Sequence, residues 1–282
     1  MSATPARDAP EQRRVRHWRE MTAKALSEGA ARERVAILPL SATEAHGPHL
    51  PVGTDAIIGD GLVRRCAAAL APDSAALFLA QHEVGLSTEH MDFAGTVSLD
   101  AAGAVATIMA MGEAVSRAGC ERMILVTAHG GNRPAMDIAA RRLRRERGLL
   151  TVQTTWEALG DHATIYDYPR GAIDVHGGER ETSLMLAIRP DLVALDEAVD
   201  FPSRQERRDP DALLALHSAP ATQGWLSQDL NPQGVVGDAS LATAAKGEAE
   251  IATIVRGFRR LVEEVAAAAV PARKPSYPPL RP

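Results

Sequence analysis

The stretch RMILVTAHGGNRPAMDIAARRLRRERG, residues Arg122 to Gly148, decides the fold. Arg122 to Ala128 is a short apolar run of the kind that forms a strand buried on both faces, as in a parallel sheet covered by helices. It ends in His129 and two glycines. Arg133 to Arg147 then reads as an amphipathic helix with a basic outer face, stopped by Gly148. The same alternation extends outward. RVAILPL (Arg34 to Leu40) and ALFLAQH (Ala76 to His82) are strand runs, followed by helices over Ala56 to Leu70 and Asp100 to Ala118. The second helix is capped near Ser98 or Asp100 and stopped by Gly119. LLTVQTTW (Leu149 to Trp156) is the next strand, Glu181 to Ile188 a helix that Pro190 ends, and Leu241 to Ala269 the last helix. Strands alternating with long helices imply βαβ units and a mostly parallel sheet covered on both sides.

Composition narrows the function classes. The 282 residues hold 31 Lys and Arg against 36 Asp and Glu, a net charge of -5, which argues against a general nucleic-acid binder. The basic helix face (Arg141, Arg142, Arg144, Arg145) therefore reads as a solvated face or a subunit contact. Hydrophobic residues make up 45% of the chain, ample for a core, but no run approaches a membrane span. The first twenty residues lack the apolar core of a secretory signal, so a cytoplasmic location is expected. Cys66 and Cys120 are too few for a disulfide framework or a cysteine-rich metal site and read as buried thiols. Residues 1–30 are expected to form a polar arm or docking helix around Trp18 to Leu26, residues 31–270 one catalytic domain, and residues 271–282 an extended tail.

The unusual residues gather where strands end. SATEAHGPHLPVGTD (Ser41 to Asp55) carries Glu44, His46, His49 and Asp55 among prolines and glycines that exclude a regular helix. Two carboxylates and two imidazoles at that density are a metal-site composition, although Asp55 also suits an N-cap of the following helix. The Arg122 run ends in TAHGGN, placing His129 at the same sheet edge. DVHGGERETS (Asp174 to Ser183) adds His176, Glu179 and Glu181 around another glycine pair. Without cysteine ligands, Zn²⁺, Mn²⁺ and Fe²⁺ are the candidate ions. His90 and Asp92 of the EHMDFAGT loop, and Trp156 at a strand end, are candidate pocket residues. His49 reads as a support for the loop, and Phe201 to Gly237 as a loop that shapes the pocket or a subunit contact. A phosphate-binding GxGxxG turn, a Walker loop and a GxSxG elbow are all absent, which excludes the nucleotide-binding and serine-hydrolase readings.

The strings TEAHGPHLPVGTD, STEHMDFAGTVSL, TAHGGN and HGGERETS, in this order and spacing, closely resemble the creatininase superfamily from about Val35 to Ala268. The resemblance implies a three-layer α/β/α fold, a cytoplasmic homohexamer, and metal-dependent hydrolysis of C–N bonds in small amides, cyclic amides or formamides. It implies two divalent ions per chain, one held by Glu44, Asp55 and His129, the other by His46, Asp55 and Glu179. His176 would be the general acid/base and Glu181 an acid that orients it or a ligand. The chain departs from the creatinine-hydrolysing pattern at Gly131, where those members carry a glutamate ligand. Glu179 would take over that role, and creatinine is then not the expected substrate. Peptide- and lactone-type hydrolysis on the same site, or a non-catalytic metal-bound member, are the alternatives.

Overall fold

The computed structural model describes residues 16–166, 174–207, 209, 212–216 and 220–272. Four parallel strands form the central sheet: β1 (Val35–Leu40), β2 (Ala76–Phe78), β3 (Arg122–Thr127) and β4 (Leu150–Thr155), in the order β2-β1-β3-β4. The main helices are α1 (Ala23–Ser27), α2 (Thr54–Ala69), α3 (Ala101–Arg117), α4 (Arg133–Arg147), α5 (Glu179–Ile188) and α6 (Ala244–Ala267). The register runs Val35 to Leu40 beside Arg122 to Thr127, which in turn lie beside Leu150 to Thr155.

Successive strand residues point to opposite faces, and both faces are apolar. Ala36, Leu38, Leu40, Met123 and Leu125 pack against α3 and α4, together with Trp18, Met21 and Leu26 of the N-terminal segment. Val35, Ile37, Ile124 and Val126 pack against α2, α5 and α6. The result is three layers, helices on sheet on helices. Asp100 caps α3 by accepting a hydrogen bond from Gly103 N–H, and Gly148 ends α4 at φ 78°, a backbone state glycine takes without strain.

Several boundaries differ from the sequence expectation for local reasons. The second strand ends at Phe78 instead of His82, although His82 still bridges to Leu40. Helix α5 starts two residues earlier than expected, at Glu179. Asp55 is not the cap of α2: the helix begins at Thr54, whose hydroxyl bonds the Pro51 carbonyl, leaving Asp55 inside the first turn with its carboxylate uncommitted to capping. The N-terminal segment from Arg16 lies along the β2 edge, with Phe78 N–H donating to Arg16 O at 2.8 Å. Half of the expected arm, residues 1–15, and most of the tail, residues 273–282, lie outside the described residues. No helix among the described residues is long and apolar enough to cross a membrane.

In the order β2-β1-β3-β4, the chain turns one way from β1 and the other way to β3. Loops leaving the carboxyl ends of such neighbouring strands diverge and open a crevice, where open α/β sheets bind ligands. Glu44 and His46 follow β1, and His129 follows β3.

Candidate metal centre

Three imidazoles are anchored from behind by main-chain carbonyls. His46 Nδ1 is 3.0 Å from Glu44 O, His129 Nε2 is 2.9 Å from Leu86 O, and His176 Nε2 is 2.7 Å from Ala45 O. Each of these nitrogens must donate, because a carbonyl can only accept. The opposite nitrogens, His46 Nε2, His129 Nδ1 and His176 Nδ1, thereby turn their lone pairs inward. This is the arrangement that fixes tautomer and ring orientation in metal-ligating histidines.

The inward nitrogens meet carboxylates. His129 Nδ1 lies 3.0 Å from Glu44 Oε1 and 3.4 Å from Asp55 Oδ2. His46 Nε2 lies 3.4 Å from Asp55 Oδ1 and 3.6 Å from Glu181 Oε2. Three potential ligand groups result: Glu44–Asp55–His129 and His46–Asp55–Glu181, which share Asp55, and Glu44–His46–His176, which lies between them. Ligand bonds of about 2.0–2.2 Å to a tetrahedral or octahedral cation set neighbouring donors roughly 3.0–3.5 Å apart, close to the spacing seen. Glu44 Oε1, His46 Nε2 and Asp55 Oδ2 are buried without a hydrogen-bond partner. Buried lone pairs facing one another need positive charge between them, from protons on the imidazoles or from a metal ion, and a nitrogen–oxygen set of this kind suits a divalent cation. The residues fit a bound metal.

The electrostatics agree. Burial opposes the imidazolium form of His46, but Asp55, Glu181 and Glu44 outweigh it and raise the group to about 10. His129 likewise rises to about 10 against burial, through Glu44, Asp55 and Glu89. Burial and Glu44 push Asp55 up to about 6. Glu44 is held well below the usual range because His129, His176 and His90 overcome the upward push of burial. In the metal-free chain, then, imidazole protons neutralise the buried acids. His176 differs: burial and the neighbouring His46 lower it, keeping its ring neutral.

Not every expected residue sits where the resemblance put it. Glu179 is replaced in the second triad by Glu181. Both lie in the first turn of α5, but residues two apart on a helix point to opposite sides. Glu179 turns toward α6 and pairs with Lys246, whereas Glu181 turns toward His46 and accepts from Gly177 N–H at 2.7 Å. His176 is within the cluster, its Nδ1 3.7 Å from Glu44 Oε1 and its ring 4.1 Å from those of both His46 and His90. His90 is buried, with Nε2 3.7 Å from Glu44 Oε1. Asp92 is not beside it: its side chain is exposed and accepts from Gln228. Trp156 is buried in the core against Phe258 and also lines a cleft of ≈ 120 Å³ beside Glu181. His49 supports the loop by bonding Thr182 Oγ1 at 3.0 Å and stacking on Phe201.

Other contributors carried no signal in the sequence reading. Ser87 donates to Glu44 Oε2, fixing that carboxylate's second oxygen. Arg180 donates to the fully buried Glu250 at 2.7 Å, and Tyr166 donates to the other Glu250 oxygen at 2.8 Å. Within the Phe201 to Gly237 loop, Val236 pairs with the His176 backbone, and Ser227 donates to Glu89 O at 3.0 Å. That loop braces two segments of the centre.

Comparison with known proteins gives a consistent set. The profile of the creatininase family, described as creatinine amidohydrolase, matches residues 19–262. The creatinine amidohydrolase of Pseudomonas putida is 33% identical over 201 residues, covering 66% of this chain and 74% of that protein. The mycofactocin precursor peptide peptidase of Mycobacterium ulcerans is 30% identical over 231 residues, 78% of this chain and 80% of that protein. A solved structure of creatininase with Mn superposes with a TM-score of 0.71 at 26% identity, covering 90% of this chain and 100% of that one.

Proposed function

The chain belongs to the creatininase (creatinine amidohydrolase) family, and on that premise we propose that it is a metal-dependent hydrolase of C–N bonds in small amides, cyclic amides or formamides. The observation that carries the reading is Asp55, whose two oxygens face two different ligand triads. Glu44, Asp55 and His129 would hold one divalent ion, and His46, Asp55 and Glu181 the other. Bound there, Zn²⁺, Mn²⁺ or Fe²⁺ ions would supply a water of lowered pKa and polarise the substrate carbonyl.

The rest falls to the chain. His176 presents a neutral Nδ1 to the centre while its Nε2–H is committed to Ala45 O. Nδ1 is thus the atom that takes a proton from the nucleophile and returns it to the departing nitrogen. Rings on both sides, His46 and His90, hold the imidazole plane in place. Burial of the whole cluster excludes bulk water and strengthens each interaction within it. Gly131, where the creatinine-hydrolysing members carry a glutamate, argues against creatinine itself as the substrate.

The test is a panel of formamides, N-acyl amines and lactams offered to the metal-loaded protein and to His176→Ala. The wild type should release amine from at least one class. His176→Ala should keep its metal and lose about 10²–10⁴-fold in turnover. Cleavage of lactones with every amide inert would redirect the assignment to ester chemistry, and undiminished turnover in His176→Ala would remove its role.

A further inference from the structure

The cleft beside the metal centre is lined by Thr127, Gly130, Arg133, Trp156, Arg180 and Glu181, among others. Glu181 belongs to the second triad, so the cleft adjoins the centre through that residue. Most of its charges are already matched within the chain. Arg180 donates its Nε–H to Glu250 at 2.7 Å and has Glu157 3.8 Å from its NH1. Glu181 is engaged by Gly177 N–H and faces His46.

Two donors are left over. Arg133, the first residue of α4, is exposed, and no carboxylate pairs with it among the described residues. Trp156 is only 1% exposed, and its indole Nε1–H has no acceptor. A buried N–H without an acceptor is rare in folded proteins and points to a partner the chain does not provide. Between them lies bare main chain: a Cβ on Gly130 would meet nothing within 4 Å, so a ligand can approach closely. The positive end of the α4 dipole adds to the same field.

We propose that this cleft selects substrates bearing an anionic group, a carboxylate or a phosphate-type group, which Arg133 and the Trp156 indole N–H bind while the scissile amide lies at the metal centre. The inference rests on the hydrolase reading above and deepens it, because it names a substrate class for the same site. A guanidinium and an N–H donor with no acceptor of their own are complementary to an anion and offer nothing particular to a neutral group.

All three hydroxamic acid probes chelate metal through the same head group and differ only in the charge of the tail, and so they separate the two readings. The test is calorimetric titration of the metal-loaded full-length protein with three probes: valerohydroxamate, succinic acid monohydroxamate and a phosphonate-tailed analogue. At least one anionic probe should bind about tenfold or more tightly than the neutral one, as charge-assisted hydrogen bonds predict. Arg133→Ala should reduce that advantage to under about twofold, and Arg133→Lys should retain part of it. Whichever anionic probe gains more identifies the group. Equal affinities in the wild type, or an advantage that survives Arg133→Ala, would overturn the inference while leaving the metal centre intact. Failure of the neutral hydroxamate to bind the loaded protein would instead contradict the metal reading, and this inference with it.

Discussion

At Gly131 an added Cβ would stand 2.3 Å from His129 Nε2, 2.5 Å from the Leu86 carbonyl oxygen and 2.6 Å from Glu89 Oε1. The hydrogen bond that orients His129 runs between the first two of those atoms, so even a methyl group there dislodges a ligand. Gly131→Ala is expected to lose the ion held by His129, lowering metal content by about half in a two-ion site, read by elemental analysis. Gly131→Glu should do no better, because its Cβ meets the same His129 and Leu86 atoms. A second prediction concerns pH. With His46 and His129 raised to about 10 in the metal-free chain, both carry protons at neutral pH that a metal must displace. Metal binding should therefore release close to two protons near pH 7–8 and tighten as pH rises toward 10. Below pH 6 it should weaken further, as Asp55 also gains a proton. Titration in buffers of different ionisation enthalpy measures the release; binding without net proton release would contradict the assignment. Helical periodicity does not separate Glu179 from Glu181: Glu181 shares a stripe with Leu184 and Met185, Glu179 one with the buried Thr182 and Ser183, and only packing against α6 gives Glu179 its Lys246 partner.

Helix α5 presents Glu181 correctly only if its first turn is fixed, and Arg180 fixes it. Its side chain, 15% exposed, reaches Glu250 on α6, while its own N–H donates to Asp174 at 2.9 Å. Glu250→Gln leaves the buried guanidinium with only the half-exposed Glu157 3.8 Å away and should destabilise the fold by about 3 kcal/mol in urea denaturation. A loss under about 1 kcal/mol would show that Arg180 finds another partner. Nothing in the sequence pointed to this pair, because residues 180 and 250 are brought together only by packing of α5 on α6. The strands were different. β1 and β3 are apolar runs buried on both faces, which read the same from any neighbour, whereas β4 is a half-buried edge strand marked by its β-branched residues. Beyond Phe78 the segment keeps touching β1, with Leu79 N–H donating to Ile37 O at 2.8 Å and His82 N–H to Pro39 O at 3.0 Å, but the regular ladder stops at Phe78, so the apolar run outlasts the strand.

On the scale of the whole molecule, the sheet order sends loops from β1 and β3 to one crevice, and the third loop reaches it from α5. Each loop could be found separately by its histidines, acids and glycine pairs. Their convergence follows from topology, which the alternation of strands and helices implied without giving distances. The Phe201 to Gly237 loop gave the least to the sequence reading: its contribution is backbone pairing with His176 and a hydrogen bond to Glu89 O, which side-chain identity does not encode. The central claim is that one buried aspartate joins two metal sites across this crevice. Elemental analysis of the protein, purified without chelator and offered Zn²⁺, Mn²⁺ or Fe²⁺, tests it directly in wild type and Asp55→Ala. About two ions per chain in the wild type, with both lost in Asp55→Ala, is the predicted result. A wild type that takes up none, or an Asp55→Ala protein that keeps two, would contradict it.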